Sequence, residues 1–389
     1  KILWILQKRI AYIMILGVLG GMAGGAYAYL TNSTLYRAEV SFYVYSDPDY
    51  VYDSSVNISN SEFTQAKNLV QSYILILKSN TILQKVLEEA GLDYGTEALS
   101  GRIGTSVVEN TAVFYVYTYD SDPYRAMELA KALDKPIVAH CEVDELLRGG
   151  YIHDGVYCRE HGHKGICSES EWRQVGRDIA LAEKTGCRYH VCHVSTKESV
   201  ELVRRARAKG LRVSCETAPH YLLLCDEDLQ EEGRFKMNPP LRSRADREAL
   251  VAGIQDGTIE VIATDHAPHT AAEKARGLAG SAMGIVGLET AFPLLYKYLV
   301  LEGVITLEKL VALMSANPRR IFALEGGVEE GDAADFTVLD LGAEYAVDPG
   351  TFLSKGRATP FAGWKVQGRA VLTVVGGKEV YDDNYESNR

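Results

Sequence analysis

Histidine and cysteine are absent from residues 1–139 of this chain. All nine histidines lie in residues 140–269, and all seven cysteines lie in residues 141–225. The segment that lacks both nevertheless carries 14 of the 23 tyrosines. This uneven distribution indicates that two segments of different character share one chain. The cysteines are odd in number and lack paired spacing, which excludes a disulfide framework and favours reduced intracellular thiols.

Positive charge is also scarce. The chain has 41 lysines and arginines against 52 acidic residues, giving a formal net charge of −11, and the acidic residues are spread along its length. Such a balance excludes the basic surface of a nucleic-acid-binding protein. At 389 residues and 47% apolar content, the chain is long enough for two or three domains with sizeable cores.

Charge is missing altogether from residues 10–30, which form a continuous apolar run. A run of that length crosses a hydrocarbon core of about 30 Å as a helix. Lys1, Lys8 and Arg9 precede the run, so the positive-inside tendency places the N-terminus in the cytoplasm. We therefore predict a transmembrane helix within residues 1–34, with membrane contact through residues 10–30. A cleaved signal peptide is the alternative.

Residues 35–125 predict a small α/β segment. Residues 36–46 and 112–119 are rich in aromatic and β-branched residues and predict strands, and residues 62–92 show helical spacing. The motifs YRAEVSFYV, NLVQSYILILKSNTILQKVL and NTAVFYVYTYDSDPYRA, behind a membrane helix, resemble the polysaccharide chain-length determinant family. The resemblance implies a membrane-anchored regulator of polymer length. That family also has a second membrane helix, which this chain lacks.

Beyond residue 125 the character changes, because helical and strand patterns alternate as far as residue 325. Alternation of this kind predicts right-handed βαβ units and a parallel sheet, here a partial (β/α) barrel of the TIM type. Residues 326–389 predict a β-rich tail. Functional residues of such barrels lie where strands end. The ionisable residues at four successive predicted strand ends are His140 and Glu142; His193; Glu216 and His220; and Asp265, His266 and His269.

Imidazoles and a carboxylate brought together from separate strands suit a catalytic Zn²⁺ site with open positions. A carboxylate beside activated water can take and return a proton, which is the role predicted for Asp265. Any one of these histidines read alone would more often be a packing residue. We expect Glu216 to anchor a loop and leave the role of His220 open.

Other polar residues have weaker predictions. The stretch HDGVYCREHGHKG, with its three histidines, predicts a mobile surface loop. Arg242 follows two prolines and either contacts an anion or is a solvated loop residue.

Residues 126–382 contain KPIVAHCE, HVCHVSTKESVELV, VSCETAPHYLLL, KMNPPLRS, VIATDHAPH and GIVGLET in that order, followed by GDAADFTVLD. This ordered set resembles the dihydroorotases of the cyclic amidohydrolase superfamily. The implied reaction is reversible ring closure of N-carbamoyl-L-aspartate to dihydroorotate, a step of pyrimidine synthesis. The resemblance implies a two-metal zinc site, with His140 and His193 on one metal and Asp265 as a ligand of the other and general acid/base. The implied substrate-binding residues are Asn238, His269, Gly284 and Gly287.

The chain also departs from that family. Dihydroorotases begin the barrel with a His-x-His-x-Arg strand and supply a bridging carboxylate, a carbamylated Lys or an Asp, from the fourth strand. This chain has no histidine before His140, and no residue can be assigned as the bridge. We therefore expect an incomplete metal site, with weak or missing activity. Half a barrel leaves open strand edges, so it either pairs with a second copy or does not fold.

The junction near residue 125 raises the question of origin. A start at Lys1 without methionine suggests a fragment, and a mis-joined or fused reading frame is the leading explanation. A non-functional chimera and a membrane-anchored chain-length regulator are the alternatives. Localisation is in conflict, because the predicted anchor directs the rest of the chain outside, whereas the enzyme segment and its substrate belong in the cytoplasm.

Overall fold

A computed structural model describes residues 36–43, 75–76, 78–90, 95–107, 113–120, 122–132, 134–324 and 326–383. The described residues divide into two compact units, one ending at Ala126 and the other beginning at Met127. The boundary expected from the sequence lay between residues 125 and 126.

The first unit contains an antiparallel sheet of three strands in the order β1-β3-β2. Tyr36 lies opposite Asp120 at one end of the β1–β3 pair. The core of this unit consists of Leu83, Leu87 and Leu99, and the four-residue spacing of the first two places them on one helix face. Its elements are β1 (Tyr36–Tyr43), α1 (Asn80–Ala90), α2 (Thr96–Arg102), β2 (Ile103–Val107) and β3 (Val113–Asp120).

The sequence predicted β1, β3 and the helical character of α1, but not α2 or β2. Residues 62–74 of the predicted helix lie outside the described residues. So does the predicted membrane helix of residues 10–30. Among the residues described, every helix is too short or too polar to cross a bilayer.

The second unit contains a parallel sheet whose four strands pair in chain order. They are β4 (Ile137–Ala139), β7 (Tyr189–Val191), β8 (Val213–Thr217) and β9 (Val261–Ile262). Helices connect successive strands, as the alternating pattern predicted. Because the strands are parallel and adjacent, their carboxyl ends meet along one edge.

The helices of this unit begin and end with recognisable signals. Thr196 and Ser243 accept hydrogen bonds from backbone N–H groups three residues on, and Gly186 and Gly257 end helices in the left-handed conformation. The boundary between the units falls within the helix α3 (Pro123–Ala132). From there to the last strand of the parallel sheet the helices are α4 (Val156–His161), α5 (Glu169–Thr185), α6 (Lys197–Ala208), α7 (Pro219–Leu223) and α8 (Arg244–Asp256).

The core of the second unit includes the inner helix faces and the sheet. Val175 of α5, Val200 and Val203 of α6, and Val191 and Cys215 of the strands are fully buried. Each buried valine contributes about 1.5–3 kcal/mol relative to exposure, so the three-residue spacing in α6 fixes which face packs inward. All seven cysteines are free thiols, and five of them are buried.

The stretch predicted as a mobile surface loop is instead ordered structure. Strands β5 (Ile152–His153) and β6 (Gly165–Ile166) pair in parallel on either side of α4. His153 is buried, and its Nδ1 lies 3.4 Å from Nη1 of Arg242. The loop prediction is wrong at His153. Ile152 and Ile166, which flank the polar stretch, are buried in the core, and His153 is buried next to Ile152.

The chain beyond β9 consists of short helices and an antiparallel sheet. Residues 307–322 form helical turns that widen to a π-turn at Ala312–Ala316, and Pro318 lies in the first turn of the helix Asn317–Phe322. The predicted tail forms a β10-β11-β12 sheet with a turn at Gly376 and Gly377, both at positive φ. The elements are α9 (Ala271–Lys274), α10 (Gly277–Gly280), α11 (Ala291–Leu295), α12 (Leu307–Val311), α13 (Asn317–Phe322), β10 (Phe336–Ala346), β11 (Lys365–Val375) and β12 (Lys378–Asp382).

Candidate active site

The candidate site lies where the parallel strands end. His140 directly follows β4, and His193 lies two residues beyond β7. The N–H group of Cys192 donates to Ala139 O at 3.0 Å, so pairing continues past the strand ends. His193 has a φ of 34°, an unusual backbone conformation that turns the chain at this point. The parallel sheet therefore brings two histidines, distant in sequence, to the same place.

The two imidazole rings face each other through one nitrogen each. The Nδ1 atom of His140 lies 2.9 Å from the Nε2 atom of His193. Burial lowers the pKa of His193, and the adjacent His140 lowers it further, so this ring is held neutral. The nearby carboxylate of Glu142 raises the pKa of His140. The pair can share one proton or, with both rings neutral, present two lone pairs to a cation.

Glu142 links the histidine pair to a predicted substrate residue. Its Oε2 lies 3.7 Å from Nε2 of His140, and its Oε1 accepts a hydrogen bond of 2.9 Å from the Asn238 side chain. Gln174 braces the same turn, because its amide donates to His140 O and its oxygen accepts from Glu142 N–H. The sequence predicted Glu142 at a strand end, but it did not predict the contacts of Glu142 with both His140 and Asn238.

Asp265 lies three residues beyond β9 and has a φ of 48°. Its Oδ2 lies 4.0 Å from Nε2 of His220, a buried histidine on α7. Burial raises the pKa of Asp265 above its usual range and lowers that of His220 to about 3. His220 is therefore neutral beside Asp265, and a carboxylate with a raised pKa is better suited to accept a proton.

The donors fit zinc in part. Two nitrogens 2.9 Å apart can both reach one ion at the usual Zn–N distance of about 2.0–2.1 Å, and neutral imidazoles are its preferred nitrogen ligands. Asp265 does not form a compact triad with them. In the part of the chain that the structure describes, the only three ligand atoms within 4.8 Å of one another come from Cys225, Asp226 and Glu227.

Three of the predicted substrate-binding residues, His269, Gly284 and Gly287, lie on the segment that follows Asp265 in the chain. Nε2 of His269 lies 2.7 Å from Met283 O. Gly284 has a φ of 133°, and a Cβ there would lie 2.7 Å from Ala267 O. A Cβ on Gly287 would lie 2.7 Å from Thr264 O, so both glycines are required by close backbone approach. His266 accepts from the Gly287 N–H group at 3.1 Å and so ties this loop to the strand end.

Glu171 is a buried carboxylate that the sequence did not reveal as important. It accepts hydrogen bonds from the backbone and hydroxyl groups of Ser195 and Thr196 and from the Ser199 hydroxyl. These bonds fix the segment directly after His193. Glu171 lies on α5, so it holds the strand end from the helical layer.

Two earlier predictions on polar residues can be compared with their contacts. Arg242 is buried, and it donates to Ser195 Oγ at 3.1 Å and to Ile166 O at 3.0 Å, so the solvated-loop alternative is wrong. Glu216 Oε2 lies 3.2 Å from Nε2 of the buried His190, an anchoring contact.

Two family models match this chain. The model described as "Amidohydrolase family" matches residues 106–380, which is more than half of the chain. The chain belongs to the amidohydrolase family. A second model, described as "Dihydro-orotase-like", matches residues 11–199.

Curated relatives of this amidohydrolase are dihydroorotases. The dihydroorotase of Geobacillus thermodenitrificans is 56% identical over 261 residues, which cover 67% of this chain and 61% of that protein. The dihydroorotase of Brevibacillus brevis is 57% identical over 263 residues, covering 67% and 62%. The chain therefore spans about three fifths of the length of the curated relatives it matches.

Solved structures with a similar fold include hydantoinases. The D-hydantoinase of a Thermus species aligns with a TM-score of 0.61 at 25% identity, covering 68% of this chain and 60% of that chain. The L-hydantoinase of Arthrobacter aurescens aligns with a TM-score of 0.60 at 27% identity, covering 71% and 63%. These alignments support a TIM-barrel-like α/β fold.

The matches do not support the predicted chain-length determinant segment, because the dihydroorotase-like match extends over much of it. That resemblance, the membrane anchor and the fusion remain predictions from the sequence alone.

Proposed function

We propose that this amidohydrolase acts on dihydroorotate, interconverting it with N-carbamoyl-L-aspartate. The observation that carries the proposal is the convergence of His140 and His193, at 2.9 Å, on the edge of the sheet where Asp265 also lies. Identities of 56% and 57% to dihydroorotases support dihydroorotate over the hydantoins named for the structural neighbours.

In the hydrolytic direction, Asp265 accepts a proton from the attacking water and returns it to the ring nitrogen as the carbon–nitrogen bond breaks. The raised pKa of Asp265 favours this transfer. Asn238 and His269 hold the substrate. Glu142 fixes Asn238 against His140, so substrate placement is coupled to the histidine pair.

His140 and His193 would hold one zinc ion, and Asp265 would contribute to a second. Zinc, when bound, supplies Lewis-acid polarisation of the ring carbonyl and a lower pKa for water. No residue of this chain is assigned as the bridging ligand.

The test uses the purified full chain loaded with zinc, with dihydroorotate as substrate and a hydantoin as the comparison. We expect dihydroorotate to bind and be hydrolysed slowly, and Asp265→Asn to remove hydrolysis while circular dichroism stays unchanged. Failure of the folded, zinc-loaded chain to bind dihydroorotate, or equal hydrolysis by Asp265→Asn, would refute the proposal.

The cytoplasmic location of the enzyme part and pairing with a second copy belong to the same proposal. Pairing is checked by light scattering: a dimer is expected if the open strand edges are covered by another copy, and a folded monomer contradicts it.

A further inference from the structure

Lys274 is a buried lysine beside the predicted substrate loop. It is 8% exposed and ends the short helix α9. Its ammonium group donates to three backbone oxygens: Lys236 O at 3.0 Å, Ala282 O at 2.8 Å and Gly284 O at 2.7 Å. An ammonium group has three N–H donors and no acceptor, so these contacts use its entire capacity.

The three acceptors come from two separate segments. Lys236 lies two residues before Asn238, whereas Ala282 and Gly284 belong to the glycine-containing loop. The Gly284 N–H group also donates to Lys236 O at 3.0 Å. Lys236 O therefore receives both the Lys274 ammonium and the Gly284 amide, and Lys274 closes a small ring of bonds between the segments.

Burial of this charge is costly, which argues against an incidental contact. Lys236 is buried as well, and its ammonium donates to Ala279 O at 2.9 Å. Within the described residues neither lysine forms an ion pair with a carboxylate. Burial and the neighbouring Lys236 lower the pKa of Lys274 to about 8. Both buried lysines lie at the junction between the Asn238 and Gly284 segments.

We infer that Lys274 is a positioning residue that holds the Gly284 loop at a fixed distance from Asn238, and so sets the width of the site between them. The effect of Lys274 on the Gly284 loop is inferred from the hydrogen bonds alone. Its effect on dihydroorotate affinity rests on the function proposed above.

The experiment compares Lys274→Met, which removes the charge and all donors, with Lys274→Gln, which retains two donors. Lys209→Met is the matched control, because Lys209 is an exposed lysine paired with Glu183 at 3.2 Å. Hydrogen exchange by mass spectrometry is read on peptides covering residues 234–240 and 280–288, with a peptide from α6 as the internal reference.

In Lys274→Met, exchange at residues 280–288 should be about tenfold faster, which corresponds to about 1.4 kcal/mol of local opening. Exchange in α6 should be unchanged, and Lys274→Gln should lie between wild type and Lys274→Met. Lys209→Met should behave as wild type. Dihydroorotate affinity should fall in the same order, with zinc content constant.

Unchanged exchange at residues 280–288 in Lys274→Met would overturn the inference, as would an equal increase throughout the unit. If Lys274→Met does not fold, Lys274→Gln must still show faster exchange at residues 280–288 than wild type. Exchange at the wild-type rate in Lys274→Gln would then overturn the inference. If wild-type protein does not bind dihydroorotate, the proposed function fails, while the exchange result still decides the role of Lys274.

Discussion

The Nδ1 atom of His140 and the Nε2 atom of His193 lie 2.9 Å apart, although the two residues are far apart in the chain. The contact is a direct product of parallel pairing between β4 and β7, which sets Ala139 beside Val191. An exposed and a partly buried imidazole at this distance are disfavoured when both are protonated, so the pair is suited to a shared proton or a cation.

Replacement of either histidine should abolish zinc binding at this position. His193→Ala should lower zinc affinity by about 100-fold or more, because a ligand is lost and not only an outer contact. Bound zinc is measured by mass spectrometry after dialysis. His161→Ala is the control, because that ring is exposed and stacks on Tyr157. Equal zinc content in wild type and His193→Ala would contradict the assignment.

Glu171→Gln should destabilise the second unit by about 2 to 3 kcal/mol, because an amide cannot accept all the hydrogen bonds that Ser195, Thr196 and Ser199 donate. Urea unfolding at pH 7 measures the change. Glu183→Gln replaces an exposed carboxylate and should alter stability by less than about 0.5 kcal/mol. Similar midpoints for the two variants would show that the Glu171 contacts contribute little.

Stability should fall as the pH drops from 6.5 towards 4, in part because of His153. Burial, followed by the charge of Arg242, lowers the pKa of His153 to about 4. Between pH 6.5 and 4, His153 is protonated in the unfolded chain but not in the folded chain. The free energy of unfolding therefore falls by about 1 kcal/mol for each pH unit in this range. His153→Gln should show a shallower loss between pH 6.5 and 4 in urea titrations. Identical slopes for wild type and His153→Gln would refute the role of His153.

Gly284→Ala should cost about 1–3 kcal/mol, because its φ of 133° and the approach of Ala267 O leave no room for a Cβ. Gly176→Ala makes a matched comparison. Gly176 is in the helical interior of α5, where an added Cβ meets only Leu202 Cδ1 at 3.6 Å, and the change should stabilise by about 0.5–1 kcal/mol. Thermal unfolding distinguishes the two, and a neutral Gly284→Ala would contradict the strained loop geometry.

The positions of His140, His193 and Asp265 at strand ends were predictable, since alternation of helix and strand is a local pattern. A buried valine run or a helix cap depends on near neighbours in the chain. The parallel sheet follows from the same pattern, because each connection is long enough to hold a helix.

Other features depend on contacts that no local pattern encodes. The hydroxyl groups that donate to Glu171 lie on a different helix and on a loop. The backbone oxygens that accept from Lys274 lie on two separate segments. Residues 153–165 look polar enough for a loop, yet the flanking Ile152 and Ile166 are buried, and His153 is buried as well. Such residues become recognisable only once the chain has folded around them.

The strict chain order of β4, β7, β8 and β9 has a consequence for inheritance. The four strands that bring His140, His193 and Asp265 to one edge lie in a single uninterrupted stretch, residues 137–265. Recombination upstream of that stretch can exchange the leading part of a gene without altering a single pairing among these strands. The ends of these four strands can therefore be inherited together as one unit.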